Sequence, residues 1–364
     1  MDEVLSRGAL NRATLARQLL LERSARTPLS TVEHLVGMQA QVPHNPYTGL
    51  WSRLEGFRPE SLSELLERRK VVRVGVMRGT IHLVTADDCL LLRPLVQPVF
   101  EAQLRRHPEH GAALRVVDLA PVVTFARALL AEKPRSGTEL RAIFAERFPD
   151  LSPAALAHAC QMHLAFVQVP PRGLWGRSAQ VRSTTAESWL GRPFAADPSI
   201  DSVVLRYFAA VGPASVADVT TWCRLTGMRA VVERLRPQLV TFRDERGREL
   251  FDVPDAPRPS EDTPAPVRFL PEYDNLVLSH DDRSRFFDQA NRAALAQGWT
   301  IGWGSLLHDG LVVGIWRLEP EALVVRHLDR LPKKALAAIA AEGRRLGRFL
   351  EAEQPDVRLV VLKQ

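Results

Sequence analysis

The stretch VVRVGVMRGTIHLV, from Val71 to Val84, decides the fold. Its β-branched residues partly alternate with other residues, and Arg78-Gly79 interrupts the run, which indicates two strands joined by a turn. Helix patterns precede it in three segments, 11–22, 30–39 and 61–69. The second and third begin at the capping boxes Ser30-Thr31-Val32-Glu33 and Ser61-Leu62-Ser63-Glu64. Three helices followed by a two-stranded hairpin predict a winged helix.

The same order of elements is predicted twice more downstream, and internal repetition decides architecture before any single motif does. The second copy has helices and then extended segments near 119–131, 137–147, 153–164, Phe166–Val169 and Gln180–Thr184. The third has helices and then a hairpin near 200–210, 215–223, 227–236 and Gln238–Val253, with its turn at Glu245-Arg246-Gly247. The copies share a pattern and no visible residue identity.

A different unit follows a proline-rich boundary, where five of the thirteen residues from Pro254 to Pro266 are proline. Two apolar runs, Trp299–Leu307 and Leu311–Leu318, flank Asp309-Gly310, which is a strong hairpin signal. A helix near 333–352 and a strand near 357–362 are also predicted. The predicted fold class is α+β, with three tandem winged-helix units (1–117, 118–195 and 196–256) and a C-terminal β-rich, barrel-like domain (257–364).

Composition restricts the partners only weakly. The 48 Lys plus Arg against 42 Asp plus Glu give a net charge of +6, and almost all of the basic residues are arginine. Arginine suits phosphate because its planar fork donates two parallel hydrogen bonds, although GC-rich coding explains the same excess. The apolar runs are too short to span a membrane and the amino terminus has no signal core, so a cytoplasmic location is expected.

The polar residues offer little to a metal or cofactor. Cys89, Cys160 and Cys223 lie far apart without a CxxC pair, and are predicted to be small buried hydrophobic residues. His158 and His163 are five residues apart, which is not the spacing of a metal pair on a helix. We expect neither a metal nor a cofactor.

The segment GMQAQVPHNPYTGL, from Gly37 to Leu50, stands out because Gln39 and Gln41 flank one small residue. Helical spacing from Val32 places Gln39 on an apolar face, where its amide needs hydrogen-bond partners. Residues two apart on a helix diverge, so the two amides converge only if the chain leaves the helix, and Pro43 favours that. The alternative is that both amides cap the helix end and solvate a loop.

This motif is one of several blocks in which the chain resembles the AlkZ-type bacterial DNA glycosylases, within a larger group of winged-helix DNA-binding-domain proteins. The glutamine–hydrophobic–glutamine motif Gln39-Ala40-Gln41 marks the glycosylase branch. The other blocks are MRGTIHLVTADD, YFAAVGPASVADVTTW, RFLPEYDNLVLSHDDR and DGLVVGIWR, which begin at residues 77, 207, 268 and 309. The resemblance covers nearly the whole chain.

The resemblance implies a monomeric enzyme with three winged helices in a C-shaped surface on double-stranded DNA. It implies hydrolysis of the bond between deoxyribose and an N7-alkylated purine, with Gln39 and Gln41 positioning the attacking water. The founding member unhooks interstrand cross-links of azinomycin B in the bacterium that makes this toxin. Relatives with a broader lesion range carry aspartate at the second motif position, so Gln41 favours the cross-link specialist.

Several residues are candidates for DNA contact. Arg78, Thr80 and His82 alternate along one predicted strand and are expected to line the cleft of the glutamines, although His82 also suits a buried structural role. The other candidates are Arg243, Arg246 and Arg248 on the third hairpin, for which a solvated hairpin tip is the alternative, and His308 beside the Asp309-Gly310 turn.

Two lysines bear on the type of reaction. A lyase needs an amine nucleophile, and Lys70 and Lys133 sit in helical patterns without a flanking motif, so a monofunctional enzyme is predicted. A non-catalytic winged-helix regulator or a DNA-clamping protein would use the same folds. A regulator would need a recognition helix rich in Arg, Asn and Gln, whereas the predicted helices are rich in alanine and leucine.

Overall fold

The computed structural model describes residues 3–288, 291, 293, 295, 302–329, 331–350 and 356–362. Its helices, in chain order, are α1 (Arg7–Arg17), α2 (Pro28–His34), α3 (Asn45–Arg53), α4 (Pro59–Glu67), α5 (Ala86–Leu95), α6 (Gln97–Arg106), α7 (Gly111–Leu114), α8 (Ala120–Glu132), α9 (Gly137–Arg147), α10 (Pro153–His163), α11 (Ala186–Leu190), α12 (Ile200–Val211), α13 (Val216–Cys223), α14 (Met228–Leu235), α15 (Asn275–Leu278) and α16 (Lys333–Phe349).

The strands form three sheets. They are β1 (Val4–Leu5), β2 (Met38–Gln39), β3 (Val71–Gly75), β4 (Ile81–Thr85), β5 (Arg135–Ser136), β6 (Phe166–Gln168), β7 (Arg182–Thr185), β8 (Val240–Asp244), β9 (Glu249–Asp252), β10 (Arg268–Leu270), β11 (Gly304–His308), β12 (Leu311–Leu318), β13 (Leu323–His327) and β14 (Val357–Val361).

The hairpin predicted between Val71 and Val84 is confirmed as the antiparallel pair β3 and β4. Its strands are interior strands of a six-stranded sheet in the order β2-β4-β3-β6-β7-β5. Because β3 also pairs with β6, the first predicted unit and the second share one continuous sheet. A large core of valine, leucine and aromatic side chains runs from this sheet into the helices of the third predicted unit.

The two predicted capping boxes do not start helices, which corrects the expected helix boundaries. Helix α2 begins at Pro28 after the cap Thr27, and α4 begins at Pro59 after Arg58. Proline is favoured in the first helical turn because its ring presets φ and its missing N–H is not needed there. Helix α2 ends at His34, since Val36 (φ 53°) and Gly37 (φ 90°) turn the chain. Gln39 therefore lies on a strand, and placing it on a helix was wrong.

The C-terminal sheet is open, so the predicted barrel-like form is wrong, whereas the α+β class is confirmed. Its order is β10-β11-β12-β13-β14, and β14 runs parallel to β13. A parallel neighbour needs a crossover, which α16 makes while packing on the sheet. Residues 299–301 of the predicted strand and 351–352 of the predicted helix lie outside the described residues.

The N-terminal segment joins distant parts of the chain. Strand β1 pairs in parallel with β8, and α1 packs against α12 of the third predicted unit. The Asp309-Gly310 turn packs against the same helix: Arg12 Nη2 is 2.6 Å from Asp309 Oδ1, and Asn11 Nδ2 donates to the Gly310 carbonyl at 2.8 Å. Helix α1 therefore ties the third hairpin to the C-terminal sheet.

The cysteine prediction is confirmed, because all three thiols are free and buried. Burial raises the pKa of Cys89 and Cys160 to about 12 and that of Cys223 to about 11. Within the described ranges, no helix is long and apolar enough to cross a membrane. The same part of the chain contains no group of three His, Cys, Asp or Glu side chains that is able to hold a metal ion.

Candidate active site

Gln39 and Gln41 lie on an extended segment at the edge of the six-stranded sheet. Strand β2 pairs with β4 through Met38↔Leu83 and Gln39↔His82, and Ala40 N donates to the Ile81 carbonyl at 2.8 Å. Successive side chains of extended backbone point to opposite faces. Met38 and Ala40 are buried in the core, whereas Gln39 is half-buried and Gln41 is exposed. The two amides therefore share a face, which the helical geometry would have prevented.

Arg78 holds Gln39 from the turn of the first hairpin. Its Nη2 donates to Gln39 Oε1 at 3.1 Å, and its Nη1 donates to the Trp222 carbonyl of α13 at 3.4 Å. The guanidinium is buried, and burial is the main reason that its pKa falls to about 10. Arg78 has a left-handed backbone (φ 58°), which costs a side-chain-bearing residue about 1 kcal/mol. The contacts of its guanidinium offset that cost.

His82 completes this network as a neutral ring. Its side chain is 1% exposed, and burial, with Arg78 nearby, lowers its pKa to about 3. His82 Nε2 lies 3.2 Å from Arg78 Nη2, which is a donor, so Nε2 accepts and Nδ1 carries the proton. Nδ1 then donates to the Thr80 carbonyl at 2.9 Å. Arg78 and His82 are thus brought together with Gln39.

Each glutamine keeps acceptor capacity. An amide oxygen has two lone pairs. Gln39 Oε1 uses one for Arg78, and Gln41 Oε1 uses one for the Ile81 N–H at 3.4 Å. Gln39 also lines a small cavity of about 10 Å³, roughly the space of one water. Both uncharged carbonyls therefore keep a lone pair that is able to accept a hydrogen bond from a water molecule.

The other candidates for DNA contact lie apart from this network. On the third hairpin, Arg246 and Arg248 pair with Asp282, at 3.2 and 2.6 Å, and Arg243 Nη1 donates to the Gly247 carbonyl. His308 ends β11, and the turn that follows it is docked on α1. Contact of these residues, and of the half-buried Thr80, with DNA stays a prediction.

The family profile described as "DNA glycosylase AlkZ-like" matches residues 32–349. The chain belongs to the AlkZ-like DNA glycosylase family. Among solved structures, the DNA glycosylase AlkZ of Streptomyces sahachiroi superimposes with a TM-score of 0.80 at 19% sequence identity, covering 98% of this chain and 100% of that one. A comparison with curated proteins found no match. The predicted family and enzyme class are confirmed, and family membership argues against the alternative of a non-catalytic regulator.

In this AlkZ-like glycosylase, two positioning residues escaped the sequence reasoning. Arg73 Nη2 donates to the carbonyl of Ala40, between the two glutamines, at 2.9 Å. Asn275 Nδ2 donates to the Gly37 carbonyl at 2.7 Å, and Asn275 lines the small cavity beside Gln39. Arg73 left a usable signal, because a charged residue inside an apolar strand needs a partner. Asn275 left only its place in a block shared with the family.

Proposed function

We propose that this glycosylase hydrolyses the N-glycosidic bond of N7-alkylated purines in double-stranded DNA as a monofunctional enzyme. Azinomycin B type interstrand cross-links, and self-resistance to such a toxin, are included in the proposal. The observation that carries it is the common face of Gln39 and Gln41, with acceptor capacity left on both amide oxygens. Gln41 in place of aspartate favours the cross-link lesion.

The chemistry suits a pair of uncharged amides. An N7-alkylated guanine is cationic and leaves as a neutral base, so the enzyme does not need to protonate it. Its task is to hold a water behind C1′ while positive charge develops on the sugar, which is positioning and electrostatics. Arg78 fixes the Gln39 carbonyl for that purpose, and neutral His82 avoids adding a second positive charge.

The way in which the protein binds DNA is part of the same proposal. Three winged-helix units, with boundaries near 117, 195 and 256, would form a C-shaped surface on the duplex, with Thr80, Arg243, Arg246, Arg248 and His308 among its contacts. The observed hairpins β3–β4 and β8–β9 support two of the wings. A monomeric state and a cytoplasmic location stay predictions.

The test is the Gln39→Ala/Gln41→Ala double variant on duplex DNA that carries N7-methylguanine or an azinomycin B cross-link. Released base should fall by a factor on the order of 10² or more, because the water loses both acceptors. DNA affinity and melting temperature should stay nearly unchanged. Gln41→Asp should retain activity and widen the lesion range.

The matched control is Gln238→Ala, which removes an exposed glutamine of the third predicted unit and should leave excision unchanged. A double-alanine protein with full activity would end the proposal. A loss of activity only in proportion to a loss of stability would assign both glutamines to structure.

A further inference from the structure

A second, larger cavity lies between the six-stranded sheet and the helices α6, α9 and α10. Its volume is about 370 Å³, which is in the range of ligand-binding clefts. Residues of all five strands β3 to β7 line it, together with those three helices. The cavity therefore joins the first hairpin to the second predicted unit.

The charge of this cavity has one sign. Arg93, Arg135 and Arg141 line it, and none of the described lining residues is Asp or Glu. The guanidinium of Arg93 already has hydrogen-bond partners in the protein, because it donates to Gln97 and to the Met162 carbonyl. Arg135 pairs with Glu132 through Nη2 at 3.0 Å, but that carboxylate is 67% exposed. Arg135 and Arg141 therefore present positive charge to the cavity.

Three buried polar atoms on the cavity walls have no hydrogen-bond partner within the described part of the chain. They are Arg135 Nε, His158 Nε2 and Gln168 Oε1. Buried polar groups are almost always bonded, so unpartnered atoms at one place point to a missing partner. Arg135 supplies a donor and His158 supplies a donor when Nε2 carries the proton. Gln168 supplies an acceptor for a water or a hydroxyl.

The ligand class follows from these groups. A cavity lined by arginines and without carboxylates disfavours binding of an N7-alkylated purine, because that base is itself cationic. Such a cavity favours an anion, and arginine with histidine donors is a typical phosphate-binding set. The rings of His107 and His110 lie beside His158, with centroids 4.4 and 5.8 Å from it. Burial, with these two rings nearby, lowers the pKa of His158, so the His158 ring acts as a neutral donor.

The cavity adjoins the candidate active site. Ile81 lines the cavity, and its backbone N–H donates to Gln41 Oε1. Gly79, next to Arg78 in the turn, lines it as well. A DNA strand that places its damaged nucleotide at Gln41 would carry a phosphate towards this cavity.

We propose that the cavity lined by Arg135, Arg141 and His158 binds a backbone phosphate of the DNA strand under repair. The assignment rests on the proposed function, since it takes DNA to be the ligand. It adds a specific anchor in the second predicted unit, beyond the hairpin arginines.

The first test measures affinity for undamaged duplex against salt concentration, for Arg135→Met and for its control Arg127→Met. The two arginines belong to the same predicted unit and each pairs with one glutamate, but Arg127 does not line the cavity. One lost phosphate contact lowers the slope of log K against log salt by about 0.9. We expect that decrease for Arg135→Met and for the exposed Arg141→Met, which keeps the test valid if the first variant unfolds. Unchanged slopes in both would overturn the proposal.

The second test finds the source of the phosphate. Duplexes with a single neutral methylphosphonate, moved along the strand, should show one position that weakens binding by about threefold at low salt to wild type and not to Arg135→Met. Inorganic phosphate is titrated in parallel. Binding of inorganic phosphate that depends on Arg135, without a sensitive position on DNA, would assign the cavity to a free anion and overturn the DNA assignment.

Neither measurement needs base excision. If the glutamine variants lost activity but kept the wild-type slope of log K against log salt, this inference would still hold. A protein that excises bases normally while Arg135→Met and Arg141→Met keep the wild-type slope would sink this inference alone.

Discussion

The first and third hairpins have the same antiparallel form and use their arginines in opposite ways. In the first, Arg78 is buried at the turn and binds Gln39, His82 and the Trp222 carbonyl. In the third, the arginine side chains are themselves exposed: Arg246 and Arg248 both pair with Asp282, and Arg248 also pairs with the buried Asp244. An arginine held in a dry network fixes geometry, whereas an exposed ion pair is weak and exchangeable.

The reason for the difference lies in what packs on each turn. Helix α13 packs against the first turn and removes water from it. The tip of the third hairpin remains in solvent, while its base is buried through Asp252. The first hairpin is thus built as part of a site, and the tip of the third remains available to a partner.

The largest change in stability is expected from a substitution at the base of the third hairpin. Arg17 donates to both carboxylate oxygens of Asp252, at 2.6 and 2.7 Å, and both side chains are 0% exposed. Asp252→Ala leaves a buried guanidinium without its counter-charge, which should lower the free energy of unfolding by about 3–5 kcal/mol. Urea unfolding measures it. A change below about 1 kcal/mol would show that water reaches Arg17.

The next largest change, in both excision rate and stability, is expected from substitution of Arg78. Arg78→Met should slow excision by about 10- to 100-fold, because Gln39 loses the group that orients it. It should also cost about 1–3 kcal/mol of stability, since His82 Nε2 loses its donor. Single-turnover kinetics at a temperature where both proteins are folded separates the two effects. Normal excision in a destabilised Arg78→Met would make the network purely structural.

Burial of neutral His82 in the first hairpin makes the stability of the protein depend on pH. The pKa of His82 lies near 3 when folded, against an ordinary value of 6.5, so the unfolded chain binds the proton more tightly. Its contribution is complete above about pH 6.5 and is lost as the pH falls towards 3, at up to about 1.4 kcal/mol per pH unit. His82→Gln should reduce this slope in urea unfolding between pH 6.5 and 4. An identical slope would mean that His82 is solvated.

The smallest effect is expected at the tip of the third hairpin. Arg246→Ala should change stability by less than about 1 kcal/mol, because the Arg246 side chain is 58% exposed and lies 3.2 Å from Asp282. Arg248→Ala should cost more, because Arg248 also pairs with the buried Asp244 at 2.6 Å. If these arginines bind phosphate, DNA affinity should fall and its salt slope should shrink by about 0.9 per contact. Excision at saturating enzyme should stay at the wild-type rate. A large loss of stability would contradict the comparison of the two hairpins.

Prediction from the sequence succeeded where signals were local. The helices Gly137–Arg147 and Val216–Cys223 were predicted within one or two residues, since serine caps start both. It failed at α2, where Thr27 and Pro28 outcompeted a capping-box pattern three residues downstream. The glutamines were singled out by their spacing. Their common face could not be predicted, because it depends on the pairing of β2 with β4.

The sequence by itself determined the α+β class, the hairpin between Val71 and Val84, and the motif Gln39-Ala40-Gln41, because periodicity and turn residues act over a few neighbours. Only the tertiary structure decided that the C-terminal sheet stays open and that Arg78, His82 and Trp222 meet Gln39. Contacts such as Arg78 with Trp222 join residues 144 positions apart. They form only when packed cores exclude water, and no local pattern encodes which distant partner arrives.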